Sequence, residues 1–312
     1  MKKFTKGALI TCLVLFLTGV VVIIGGVASA GPKAFQNGFD SLRNSNWFHM
    51  NGWNWDLHFG DDADWDSSTI FKGEAKDFVY DKSSVDTIAV DSAYGRVDIK
   101  EADTDKITVK VTGKRSSTKY SCVLEDGELV IKGDKQSKVI HIGDGNAIDI
   151  LITVPAQMKF KLLDLDFYAG EVFVDLPTSN PDQSKFNVDA GQLTVTNLNT
   201  TELTIDIGAG EMDGERLQAE NAFFDCGMGE MSIEQFTVTK KLTASVGMGE
   251  ITMNLSGQRN DYNYDISCGM GNLDVGDQSY SGISNDTTID NDAQTDVKLD
   301  CGMGNLEVNF EN

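Results

Sequence analysis

The stretch Phe224-Asp225-Cys226-Gly227-Met228-Gly229-Glu230-Met231 decides how the rest of the chain is read. Phe224 and Cys226 alternate with a polar residue, as a half-buried strand requires, and after the glycines the alternation resumes out of phase at Met231. Near-copies stand on both sides: Tyr168-Ala169-Gly170-Glu171-Val172, Asp189-Ala190-Gly191-Gln192-Leu193, Gly208-Ala209-Gly210-Glu211-Met212, Gly247-Met248-Gly249-Glu250-Ile251, Gly269-Met270-Gly271-Asn272-Leu273 and Gly302-Met303-Gly304-Asn305-Leu306. The second glycines fall at 170, 191, 210, 229, 249, 271 and 304, so the steps are 21, 19, 19, 20, 22 and 33, the last carrying an insertion.

Around these glycines the apolar positions line up. Five residues before stand Leu165, Phe186, Ile205, Phe224, Ala244, Ile266 and Leu299; three before stand Phe167, Val188, Ile207, Cys226, Val246, Cys268 and Cys301. One before come three alanines and then Met228, Met248, Met270 and Met303, and all three positions are expected to point inward. Two residues after the glycine the apolar series resumes, and a glycine corner or bulge accounts for the slip. A turn of about 20 residues at roughly 3.3 Å each has a perimeter near 66 Å, which suits a flattened or three-sided coil filled by side chains. Helical repeats of 33 or 34 residues do not fit, and each turn can bury its apolar edge only against the next. The expected fold is therefore all-β: a single-stranded parallel β-solenoid over 156–312, with right-handed coiling as the rule for parallel crossovers.

Upstream, Val85 to Lys100 holds a degenerate copy around Gly95. Asp126-Gly127 between two apolar runs signals a hairpin, and Ile148 to Val154 reads as a strand ended by Pro155. Residues 76–155 are expected to form an antiparallel β portion that starts and caps the stack. At the other end Leu306, Val308 and Phe310 lie almost at the chain terminus, which suggests a bare strand edge able to pair with another chain.

Lys2, Lys3 and Lys6 precede an uncharged apolar segment, which divides the start of the chain into a short cytoplasmic tail at 1–6, a transmembrane anchor at 7–30 and a juxtamembrane linker at 31–75. Cleavage after Ala28-Ser29-Ala30 is the alternative and would release the protein. Either way the β body is placed outside the cytoplasm. With 48 Asp plus Glu against 26 Lys plus Arg, the formal charge of -22 repels nucleic acid and favours cations or basic partners.

The repeated Gly-Met-Gly-Glu and Gly-Met-Gly-Asn units after Asp-Cys or Ser-Cys resemble a bacterial β-strand-repeat family labelled adhesins by analogy, a domain of unknown function. The resemblance covers about residues 76 to 312. It implies a solenoid on a membrane-anchored or secreted surface protein, sometimes associated with envelope-stress systems, with no demonstrated enzyme activity and no agreed site residues.

Candidate sites are few. Trp47, Trp53, Trp55 and Trp65 form either an interfacial aromatic belt or a packing strip against the first turn. Asp61, Asp62, Asp64 and Asp66, and Asp286, Asp290, Asp292 and Asp296, lack the glycine and distal glutamate of a calcium loop and read as solvated acidic loops. Glu171, Gln192, Glu211, Glu230, Glu250, Asn272 and Asn305 should stack about 4.8 Å apart as an outer ladder, able to bind divalent ions or a basic partner or simply to form a hydrated edge. Cys226, Cys268 and Cys301 read as small core residues; Cys226 and Cys268 would lie two rungs apart, and only Cys268 with Cys301 could reach each other. His49, His58 and His141 stand in no catalytic or metal-binding pattern, so no catalytic residue, metal or cofactor is assigned. The resulting expectation is a non-enzymatic envelope protein, an adhesin or interaction scaffold whose partner is an envelope or surface protein or glycan. A membrane-anchored sensor or regulatory subunit and a polysaccharide-active β-helix enzyme are the alternatives.

Overall fold

The computed structural model describes residues 70–311 apart from 74, 114–117, 134–146 and 282–284. The proposed anchor at 7–30, the four tryptophans, the acidic group at 61–66 and all three histidines lie outside them. Among the described residues no helix is long and apolar enough to cross a membrane. Strands dominate, joined at two points by single 3-10 turns, Lys82–Ser84 and Arg259–Asp261.

The first seven strands are β1 (Phe71–Lys72), β2 (Lys76–Asp81), β3 (Thr87–Ala102), β4 (Lys106–Gly113), β5 (Lys119–Glu125), β6 (Glu128–Gly133) and β7 (Ile148–Pro155). β3 is the first rung of the coil. It runs parallel to β8 (Lys159–Asp175) along its length, with Gly95 opposite Gly170. On its other side β6 and β7 lie parallel to its two halves. Beyond them the sense reverses: β5 and β4 pair antiparallel to β6 and β7, and β1 and β2 antiparallel to β5 and β4. The degenerate copy around Gly95 is thus a full rung, and the antiparallel layers lie further out. Asp126 and Gly127 join β5 to β6 with φ of 48° and 86°, the left-handed pair that a two-residue hairpin turn demands.

β9 (Asn180–Ile207), β10 (Glu211–Cys226), β11 (Glu230–Val246) and β12 (Glu250–Ser256) continue the parallel stack. In β10 the buried positions are Met212 and Gly214, then Leu217 and Ala219, then Ala222, Phe224 and Cys226. Spacing of two is a strand, and each break in step turns a corner, so the rung has a glycine corner and two further corners at 215–216 and 220–221. The buried residues form one apolar cluster from Val85 to Val308. Each fully buried Val, Leu, Ile or Phe in it contributes about 1.5–3 kcal/mol.

The C-terminal strands are β13 (Tyr262–Cys268), β14 (Asn272–Val275), β15 (Gln278–Ser279), β16 (Asn285–Ile289), β17 (Thr295–Cys301) and β18 (Asn305–Glu311). Their order in space departs from their order in the chain. β17 lies between β11 and β13, with Val246, Cys301 and Cys268 in register. β18 lies between β12 and β14, with Glu250, Asn305 and Asn272 in register. The last turn of sequence is therefore the last but one in space. Residues 257–261 carry the chain past a vacant rung spacing, and the insertion at 276–294 supplies β15 and β16, which pair antiparallel to β14 and β13 and cover the outermost rung.

The expectation of a bare edge at Leu306, Val308 and Phe310 is accordingly wrong. Leu306 and Val308 are fully buried between two rungs, and Phe310 packs on Tyr262 with ring centroids 6.1 Å apart. That expectation equated chain order with stacking order.

Candidate functional site

Register stacking converts each position of the repeat into a column along the coil. In spatial order the glycine column is Gly95, Gly170, Gly191, Gly210, Gly229, Gly249, Gly304 and Gly271. A Cβ at Gly229 would lie 2.2 Å from the carbonyl oxygen of Gly210, and one at Gly304 would lie 2.2 Å from that of Gly249. Glycine recurs here because one rung's backbone rests on the next with no room for a side chain.

One residue later the column reads Arg96, Glu171, Gln192, Glu211, Glu230, Glu250, Asn305 and Asn272. The seven ladder residues named from sequence share this edge, with the last two exchanged. Arg96, which sequence reading missed because its repeat is degenerate, stands at the N-terminal end. Its Nη1 donates to Glu171 at 3.1 Å and its guanidinium lies 4.1 Å from the Phe173 ring centre. Near the other end Asn305 Nδ2 donates to Glu250 Oε1 at 3.1 Å.

The position before the glycine corrects the sequence reading. Met228, Met248, Met303 and Met270 point outward, with relative exposures of 45%, 40%, 52% and 69%. Strict alternation would have buried them, but the chain bends at the corner and the glycine takes the inner place against the neighbouring rung. Backbone N–H groups of Met228, Met248, Met303 and Met270 donate to carbonyls of Gly208, Gly227, Gly247 and Gly302, each at 2.8 Å, so the four side chains leave successive rungs.

Four residues before the glycine runs a second acidic column: Asp91, Asp166, Asn187, Asp206, Asp225, Ser245, Asp300 and Ser267. Burial holds Asp206 and Asp300 above the usual carboxylate range. For Asp225, burial first and then the charges of Asp206 and Asp300 push it up to about 6. Sequence reading missed this column because an outward Asp looks like any solvated residue until register places it over another.

Beneath the corner lie free thiols. Cys226, Cys268 and Cys301 are buried, as the core assignment expects. Cys301 faces Cys268 directly, while Cys226 is three rungs from Cys268 instead of two. Burial pushes the Cys226 thiol up to about 11; burial, with Cys268 adjacent, pushes Cys301 up to about 12. Asp286, Asp290 and Asp292 belong to the C-terminal cover and Asp296 to the inserted strand β17: Asp286 accepts from Ser267 Oγ at 2.8 Å, and Asp296 from Asn263 Nδ2 at 3.0 Å. Among the described residues no group of three or more His, Cys, Asp or Glu side chains is placed to hold a metal. At the third corner a shallow polar groove of about 410 Å³ is lined by Asn180, Asp182, Asn199, Thr201, Gln218 and Glu220, among others.

A parallel coil of glycine-cornered rungs with continuous outer ladders defines a β-strand-repeat protein. The chain belongs to the Toastrack DUF4097 family, whose pattern matches residues 85–309. Similar solved structures include a Bacteroides fragilis "putative adhesin", 14% identical, covering 75% of this chain and 97% of that one at a TM-score of 0.43. A Parabacteroides merdae "putative adhesin" is 13% identical, covering 78% and 97% at 0.42. A Parabacteroides distasonis "putative lipid binding protein" is 14% identical, covering 77% and 97% at 0.32. No curated protein matches the sequence.

Proposed function

We propose that this protein is a non-enzymatic extracytoplasmic envelope protein, held at the membrane by residues 7–30, whose coil serves as an adhesin-like interaction scaffold. The carrying observation is the continuity of its outer columns. In-register stacking repeats an outward polar position about every 4.8 Å over eight rungs, carboxylate or amide in all but the first, a surface suited to a partner that is itself repetitive, such as a glycan or an extended protein segment. Asp206, Asp225 and Asp300, three carboxylates with raised pKa values, are strung along a column, and Asp164, which burial also raises, stands in another, so these groups do not converge on one point, which supports binding over catalysis.

The test is a pull-down from solubilised membranes and wall material with the full chain beside a version beginning at Gly31. Retention of wall or surface material by both forms is the expected result. A partner held only by the full chain would replace this reading with a membrane-relayed regulatory role. Release of sugar products would overturn the non-enzymatic assignment, and retention of nothing would overturn the scaffold itself.

A further inference from the structure

Four of the protein's ten methionines occupy one exposed column, Met228, Met248, Met303 and Met270, on four successive rungs. In the three preceding rungs the same column holds Ala169, Ala190 and Ala209. Burial does not account for the change, because the side chains face solvent. Leucine would supply equal apolar area with less side-chain freedom; what methionine adds is a polarizable sulfur on an unbranched chain with three rotatable bonds. With rungs about 4.8 Å apart, that length and freedom let thioethers from neighbouring rungs converge on one ion. Thioether sulfur is a soft donor that selects Cu(I) over hard cations such as calcium or magnesium, and silver(I) shares its charge and softness. Glu230 and Glu250 stand two residues further along the same rungs, and the formal charge of -22 draws cations to the surface.

We propose that the Met228–Met248–Met303–Met270 ladder is a binding site for a soft monovalent cation, Cu(I) or Ag(I), held by thioethers of adjacent rungs. This goes beyond the scaffold role and stands or falls separately from it. Two properties follow from the donor type. A thioether has no proton to lose, so binding is insensitive to pH where a thiol site is not. The exchange of the last two rungs sets the order within the ladder, placing Met303 beside Met248 and Met270 outermost.

The test uses the full chain in detergent, labelled with methyl-13C methionine and titrated with silver nitrate in chloride-free buffer at pH 7 and pH 5. The expected result is that the methyl signals of the four ladder methionines shift while those of buried Met212, Met231 and Met253 stay. Replacing the two central residues, Met248→Leu with Met303→Leu, weakens silver binding at least tenfold and leaves the unfolding midpoint unchanged. The outer pair, Met228→Leu with Met270→Leu, weakens it less. Silver binding that leaves the ladder signals unmoved, survives the central double substitution, or falls about a hundredfold from pH 7 to pH 5 as a site with one thiolate ligand would, overturns the proposal.

Discussion

The two ends of the coil are closed by different means. At the N-terminal end the layers beyond β3 come from strands that follow it closely in the chain, β4 to β7, with β1 and β2 outermost. At the C-terminal end the chain skips a rung spacing, builds the outermost rung from β13 and β14, covers it with β15 and β16, and returns to fill the space with β17 and β18. An open terminal rung would present unpaired N–H and C=O groups, a template for aggregation. Among the described residues both ends cover the terminal rung and leave only short antiparallel strands at the edge, β1 and β2 at one end and β15 and β16 at the other. The second solution depends on pairings distant in sequence, so its rungs stand or fall together in a way the first does not require.

The sharpest way to break this contrast is to stop the chain after residue 294. Removal of β17 and β18 deletes the buried side chains Val297, Leu299, Cys301, Leu306 and Val308 and leaves β13 and β14 without their inner neighbours. At about 1.5–3 kcal/mol per buried side chain the expected loss is about 7 kcal/mol or more, and amide protection should vanish across 262–275 as well. Urea unfolding and hydrogen exchange read both. If 262–275 keeps its protection, the rungs stack in chain order and the interleaving is wrong.

A smaller effect asks whether the inserted rung is packed as closely as the sequential ones. The clash distances are nearly equal: 2.3 Å to the Gly191 oxygen for a Cβ at Gly210 and 2.2 Å to the Gly249 oxygen for one at Gly304. Gly210→Ala and Gly304→Ala should therefore each cost about 3 kcal/mol, since rigid backbone has to move in both. Denaturation of the two variants side by side gives the comparison. A much milder effect at Gly304 would show that the last strands sit loosely in their slot.

Much of this was legible in the chain. The parallel coil, the glycine corner and the outer ladder follow from a period of 19 to 22 residues and from alternation, which are local properties repeated often enough to reinforce one another. The methionine column was misjudged because alternation was carried through a bend, and its direction depends on how closely two rungs approach. The rung exchange was not legible from periodicity alone: steps of 22 and 33 announce extra residues, but the skipped spacing at 257–261 and the return at β17 are decided by which edges can be covered. The acidic column at Asp206 and Asp225 appears only when register sets one Asp over the next.

That column offers the finest probe of the interleaving. Two rungs beyond Asp225, across Ser245, lies Asp300; in chain order the same place would hold Ser267. Asp225 titrates at about 6 in the folded protein against 3.8 for a free side chain, raised first by burial and then by Asp206 and Asp300. The folded state therefore binds this proton more tightly than the unfolded state. Stability from this group is greatest below the free value, declines as pH rises from about 4 to 6, and stays at its lowest above that. Asp225→Asn should accordingly stabilise the protein at pH 7.5 by about 1 kcal/mol, reduced by the solvent that still reaches the carboxylate, and should have little effect at pH 3.5. Asp300→Asn is the discriminating variant. With the rungs interleaved, it lowers the Asp225 pKa measured by carboxyl-carbon NMR; with the rungs in chain order, Asp225 faces Ser267 two rungs away and its titration does not move.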